Sequence, residues 1–151
     1  MINWVNIKHF SEKEFNVDFN LVNPKLIYTL DTFRELYGKR IYPSPVDGAI
    51  ARTYGSRSSR HYAIGRKSDA IDLFMEGDIR EMFILPLLSK LWGGVGIYFD
   101  TFYKDRPWPM VHLDLRSGNL TTYWYRKKGE YYYPKSDFNA RKDLFELIGA
   151  I

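Results

Sequence analysis

Hydrophobic and polar positions follow two rhythms along this chain. Leu26, Ile27, Leu30, Phe33 and Tyr37 recur at helical spacing. Asn23 and Pro24 ahead of them supply an N-cap and a first-turn proline, and Gly38 supplies a stop, so the pattern predicts a helix over 24–37. Ser11 followed three residues later by Glu14, with Phe10 and Phe15 around them, has the form of a capping box with a hydrophobic staple and predicts a short helix from Glu12. Ile79, Met82, Phe83, Leu87 and Leu91 predict another helix from Asp78 to about residue 92, which Pro86 should kink or divide and Gly93 and Gly94 should close. A last helix is expected over 138–148, packed on the sheet.

The second rhythm is that of strands. Ala70-Ile71-Asp72-Leu73-Phe74 is a short apolar run carrying one carboxylate. It predicts a buried strand whose acid needs a specific partner, because an unpaired buried charge is costly. Runs at 95–99 and 110–115, joined by a polar, proline-containing loop, predict a hairpin. Runs at 121–126 and 130–133, joined by Lys128-Gly129, predict a further strand pair. Residues 43–60, rich in Pro, Gly, Ser and Arg, suit a long surface loop around a short strand, and loops of that length are often functional. The sum is an α+β chain with a small antiparallel sheet and helices packed against it. There is no internal repeat, heptad or linker, so one domain is expected over 1–151.

Composition narrows the chemistry. The 151 residues suffice for one core. Hydrophobic residues make up 45% and charged residues 26%, the balance of a soluble globular protein, and no apolar run approaches the roughly 20 residues that span a bilayer. A monomer without membrane insertion is expected. The first residues lack the regions of a signal peptide, which predicts synthesis in the cytoplasm and export, if any, by another route. Cysteine is absent, which excludes disulfides, thiolate nucleophiles and Cys-held zinc, so any metal must be held by His and carboxylate. The net charge of +4 favours a polyanionic partner such as nucleic acid, an acidic wall polymer or an anionic membrane surface. No recognition helix or aromatic strand motif accompanies the charge, so nucleic acid is not the expected partner.

There are three histidines, His9, His61 and His112, and the last two lie near acids in the most patterned parts of the chain. Catalytic zinc takes three protein ligands from His, Asp and Glu and keeps a fourth position open. His61, Asp72 and His112 meet that need. Residue types alone leave open a purely hydrogen-bonding role for each, and His9 is expected to be structural or exposed.

The local motifs sharpen this. Ser59-Arg60-His61, then Gly65, then Ser68-Asp69-Ala70-Ile71-Asp72, with Val111-His112-Leu113-Asp114-Leu115-Arg116 later, resembles the signature of the zinc peptidases that cut peptidoglycan, the D-alanyl-D-alanine carboxypeptidases and L-alanyl-D-glutamate endopeptidases. The closest likeness is to the branch with a late Val-His-x-Asp strand, preceded by a Gly-Val-Gly-x-Tyr strand and followed by Trp, here Gly94 to Tyr98 and Trp124. The likeness covers roughly residues 8 to 126. It implies a hedgehog/DD-peptidase-type fold, Zn2+ held by His61, Asp72 and His112, and hydrolysis of amide bonds in peptidoglycan stems or cross-bridges. It also implies that Arg52, supported by Ser59, binds substrate carboxylate or polarises the scissile carbonyl. The small size suits a phage endolysin or a virion-associated enzyme, acting on the wall after release or delivery.

Three departures accompany the likeness. Asp72 stands eleven residues after His61, further than in the family, and an insertion of four residues within 62–67 accounts for it. Asp69 is the alternative ligand; Asp72 is preferred because a strand holds a ligand more rigidly than a loop. Ser68 replaces a glycine of the motif. The Glu or His that relatives carry before the last histidine is missing, since residues 108–111 are Trp, Pro, Met and Val. Asp114, two residues beyond His112 and so on the same strand face, is expected either to manage the proton or to orient the ligand. Asp100 and Asp105 are its rivals. Among the basic residues of the loop, Arg57, Arg60 and Arg66 read equally well as solvated charge. A non-catalytic binding or structural module on the same fold is the alternative function.

Overall fold

The computed structural model describes residues 1–149 and shows an α+β chain with a mostly antiparallel sheet and three α-helices. The N-terminal segment forms single 3-10 turns. At Glu12–Glu14 the expected helix is only one such turn, although its local chemistry is as predicted: the Ser11 N–H donates to Glu14 Oε2 at 2.7 Å, and the Phe10 and Phe15 rings pack 5.6 Å apart. Helix α1 (Pro24–Tyr37) begins where Asn23 Oδ1 accepts from the Lys25 N–H and ends at Gly38, whose φ of 73° suits glycine.

Strand β1 (Ile41–Pro43) leads into the long loop, and β2 (Ala70–Met75) follows it. Helix α2 (Ile79–Ser89) carries Pro86 without being divided by it. It stops at Lys90 in a left-handed conformation, not at the glycine pair. Strand β3 (Gly94–Tyr98) is followed by a two-stranded ribbon, β4 (Phe102–Tyr103) and β5 (Arg106–Pro107), and then β6 (Met110–Asp114). Strands β7 (Thr122–Lys127) and β8 (Glu130–Tyr132) form the predicted hairpin around Lys128-Gly129, and α3 (Phe138–Leu147) closes the described chain. No helix of the described residues is long and apolar enough to cross a membrane.

The six strands run in the order β1-β2-β6-β3-β7-β8. All neighbours are antiparallel except β3 and β7, which are parallel, a departure from the antiparallel sheet expected. The cause is connectivity: β6 returns from the β4–β5 ribbon and inserts between β2 and β3, so β7 must take the far edge of β3 and run in the same direction.

Period-two alternation gives the sheet two unlike faces. Ile71, Leu73, Met75, Val95, Ile97, Val111, Leu113 and Tyr125 point into the core with α1 and α2 residues such as Leu26, Leu30, Phe33 and Phe83. The opposite face carries Asp72, His112, Asp114, Tyr98, Trp124 and Arg126, interrupted by Gly94 and Gly96. The long loop is only partly a surface loop, because Ala49, Ile50 and Ala51 are buried and the Asp72 N–H donates to the Ala49 carbonyl at 2.8 Å.

Candidate metal centre

Register builds the polar face in rows. One row reads Asp72, His112, Gly96, Trp124 across β2, β6, β3 and β7. The row beside it reads Ala70, Asp114, Gly94, Thr122. The glycines make room within these rows. A Cβ on Gly96 would sit 2.6 Å from the Trp124 indole, and one on Gly94 would meet the Asp114 carboxylate. The Gly-x-Gly pattern of β3 therefore lets Trp124 and Asp114 lie across that strand.

The third group comes from the loop. His61 is held where its carbonyl accepts from the Arg52 N–H at 2.9 Å, while the Ala63 N–H donates to the Arg52 carbonyl at 2.9 Å. Ser68, in place of the motif's glycine, is fully buried, and its hydroxyl lies within hydrogen-bond reach of the Ile50 and Arg60 carbonyls. The substitution thus ties the two arms of the loop together.

His61, Asp72 and His112 converge so that one ligand atom from each lies within 4.8 Å of the others. His61 Nε2 stands 3.1 Å from His112 Nδ1 and 3.4 Å from Asp72 Oδ1, and His112 Nδ1 stands 2.9 Å from the same oxygen. The remaining ring nitrogens face acceptors: His61 Nδ1 faces the Ile50 carbonyl at 3.4 Å, and His112 Nε2 faces Asp114 Oδ2 at 3.0 Å. Both outer contacts favour the tautomer with its ring proton on the outer nitrogen. With that tautomer two nitrogen lone pairs and a carboxylate oxygen point at one space, an arrangement that a cation satisfies. A proton or a metal ion can fill that role, and the donor set of two imidazoles and one carboxylate suits a divalent ion such as zinc.

Electrostatics agree. Burial alone would lower the His112 imidazole, but hydrogen bonds and charge from Asp114 and Asp72 outweigh it and raise it to about 9. Burial would raise the Asp72 carboxyl, yet His112 and His61 hold it below the ordinary carboxylate range. The same balance, with His112 and Arg116 as partners, holds Asp114 low.

Asp114 is wholly buried, and Arg116 clamps it through Nε at 2.8 Å to Oδ1 and Nη2 at 2.5 Å to Oδ2. With both oxygens engaged, its geometry suits orienting His112 and leaves no edge for exchanging protons with a substrate. Arg116 also lies 4.9 Å from the Trp124 ring, which itself packs against His112. Asp69, the alternative ligand, is outside the cluster and paired with Arg60. Asp100 is spent on Arg126 and the Gly129 N–H, and Asp105 is an exposed turn residue. His9 pairs with Glu35 at 2.7 Å, away from the cluster.

A cleft of about 320 Å³ opens over the cluster. Four arginines line it. Arg60, Arg116 and Arg126 each pair with an aspartate, whereas among the described residues Arg52 has no carboxylate within ion-pair distance. Its Nη2 donates to Ser59 Oγ at 3.0 Å, and its buried Nε has no partner among the described residues. Arg57 does not line the cleft, and Arg66 is turned to the carbonyls of its own loop. Sequence reasoning missed Arg126, Tyr131 and Tyr133, which also line the cleft. Strand register was the signal that would have found the first two, since Tyr98, Arg126 and Tyr131 share a row.

Comparisons with family models, with curated proteins and with solved structures gave no match.

Proposed function

We propose that the chain is a zinc-dependent peptidase of the hedgehog/DD-peptidase type that hydrolyses amide bonds in the peptides of bacterial peptidoglycan. The observation that carries this reading is the convergence of His61, Asp72 and His112 beneath an open cleft, beside a cleft arginine that has no carboxylate partner among the described residues. Zinc in such a site supplies a Lewis acid for the scissile carbonyl and lowers the pKa of water.

The chain's own residues would supply the rest. Arg52 offers a planar pair of donors to a substrate carboxylate or to the carbonyl under attack. Ser59 holds that guanidinium in place. Asp114 is a positioning residue, fixing the ring and tautomer of His112. Tyr98 lines the cleft, and burial, then the charge of Asp72, pushes its phenol up, so that it stays protonated and can donate a hydrogen bond to a developing oxyanion. The basic face would draw the protein to an acidic wall polymer. Release at lysis or delivery with a virion would bring it to that wall.

A second reading, a binding module on the same fold, is favoured by one feature: apart from Asp72, the cleft lining contains no carboxylate to act as general base. Digestion of purified peptidoglycan by the zinc-loaded protein, with and without a chelator, separates the two. Chelator-sensitive peptide fragments in the mass spectrum are the expected result. Intact peptidoglycan across several wall chemotypes, with retained binding, would overturn the peptidase reading in favour of the module.

A further inference from the structure

The cleft does not end at the metal centre. On the far side of Asp72 lies a second hollow of about 240 Å³, and the two share Arg52, Asp72 and Met110 in their walls. The ligand cluster therefore lies where the two hollows adjoin.

The two halves differ in chemistry. One is lined by arginines and by Tyr98, Trp124, Tyr131 and Tyr133. It extends from His112 on β6 over β3 and β7 to Tyr131 on β8, three strand spacings or about 14 Å. An extended peptide covers that distance in about four residues. The other half is walled by Val46, Ala49, Phe74 and Phe102, has no cation apart from the shared Arg52, and contains Asp47, whose carboxylate is fixed by the Tyr54 hydroxyl at 3.0 Å.

Two of these apolar side chains are out of place as folding residues. Val46 is 65% exposed and Phe102 is 67% exposed, yet both border the same hollow. Phe102 is held there by its ribbon. Its neighbour Tyr103 turns the other way and stacks on Phe74 at 4.5 Å, and Trp108, just past the ribbon, donates from Nε1 to the Met75 carbonyl at 3.0 Å. An enzyme removing one terminal residue needs a short blind end with a cation for the terminal carboxylate. Here one side is several residues long, and the other is walled mostly by apolar side chains, with Asp47 set against the shared Arg52.

We propose that the substrate peptide runs through the groove past the metal centre and is cut at an internal bond, with Val46 and Phe102 selecting an apolar side chain on one side. The arginine–tyrosine half takes the carboxylate-bearing part of the peptide. This rests on the peptidase reading. Hydrolysis breaks the amide C–N bond, sending the hydroxyl of water to the acyl carbon and its proton to the leaving amine.

The test uses the zinc-loaded full chain and synthetic stem-type pentapeptides, N-acetylated and identical except for a free or an amidated C-terminus. Internal cleavage of both forms at similar kcat/KM is expected. Release of only the terminal residue, from the free form alone, would overturn the proposal and leave the peptidase reading standing. No cleavage of either form, with zinc bound, would overturn both. The subsite is tested by Phe102→Ser, which should raise KM about tenfold with little change in kcat, and by Phe102→Leu, which should restore it. A fall in kcat with KM unchanged would remove Phe102 from substrate selection.

Discussion

The two halves of the ligand cluster are held in different ways. Asp72 and His112 are opposite partners on adjacent antiparallel strands in the middle of the sheet, so the ladder fixes their separation whether or not anything binds. His61 arrives on a loop and is placed by a few local bonds, to Arg52, Ser59 and the Ile50 carbonyl. The sheet-borne half is part of the fold's own stability, while the loop-borne half is a ligand added to it. Removing either histidine should abolish zinc binding and chelator-sensitive activity, but the cost in stability should separate them. His112→Ala takes the shared partner from half-buried Asp72 and buried Asp114, which keep only His61 and Arg116, and about 3 kcal/mol of unfolding free energy should be lost. His61→Ala loses only long contacts, to the Ile50 carbonyl and to Asp72, together with one to His112, and should cost less, about 1 kcal/mol. Denaturant titration of the metal-free proteins measures both, and equal losses would erase the distinction.

The next largest effect is on pH dependence. His112 titrates near 9 in the metal-free fold, above its ordinary value of 6.5. Its contribution to metal-free stability is therefore complete below about pH 6.5 and lost as pH rises through about 9. Asp72 and Asp114 are shifted the other way, and their contribution is lost as pH falls below the ordinary carboxylate range. Zinc must displace the His112 proton, so zinc affinity should rise about tenfold per pH unit up to about 9, or about a hundredfold between pH 6 and pH 8. Calorimetry in buffers of different ionisation enthalpy should find close to one proton released from this residue at pH 7. Release of none would mean that the lone pairs of the cluster already face each other unprotonated.

Much of this was legible in the sequence, and what escaped it has a physical cause. Helix α1 was readable because its caps are local, and Asp72 because an acid inside an apolar strand has to be paired. Histidine is scarce here, which narrowed the search, and the motif around each position singled out His61, Asp72 and His112, which the structure brings together. The parallel β3–β7 pair was not legible, since strand order is set by where β6 inserts, and no local pattern encodes that. Gly93 and Gly94 read locally as a helix stop, yet they stand where a Cβ would meet Arg116 and Asp114, a constraint imposed by β6 and the residues just after it. Arg126 and Tyr131 escaped for the same reason, because only register puts them in the row of Tyr98.

Positioning of the ligands offers a finer comparison. His112 is oriented by a side chain, Asp114, and His61 by a backbone carbonyl, so only the first can be altered by substitution. Asp114→Asn keeps the volume but removes the charge that fixes His112 and balances Arg116. Zinc affinity should fall about 10- to 100-fold while the site survives. Affinity measured by competition with a chromogenic chelator decides this, and an unchanged value would show that strand register alone suffices to aim His112.

The smallest effect belongs to the loop. Ser59 Oγ accepts from Arg52 Nη2 at 3.0 Å and from the His61 N–H at 3.3 Å, so one hydroxyl supports both the arginine proposed to bind substrate and the loop-borne histidine. The shorter, charge-assisted bond should dominate. Ser59→Ala should then raise KM for a carboxylate-bearing peptide about threefold to tenfold, in line with about 1 kcal/mol for one such bond, and shift zinc affinity less. The reverse split, with zinc affinity falling and KM steady, would place Ser59 with the metal ligand instead of with Arg52. The loop would then hold its histidine through that hydroxyl, and Arg52 would rely on the backbone bonds around it.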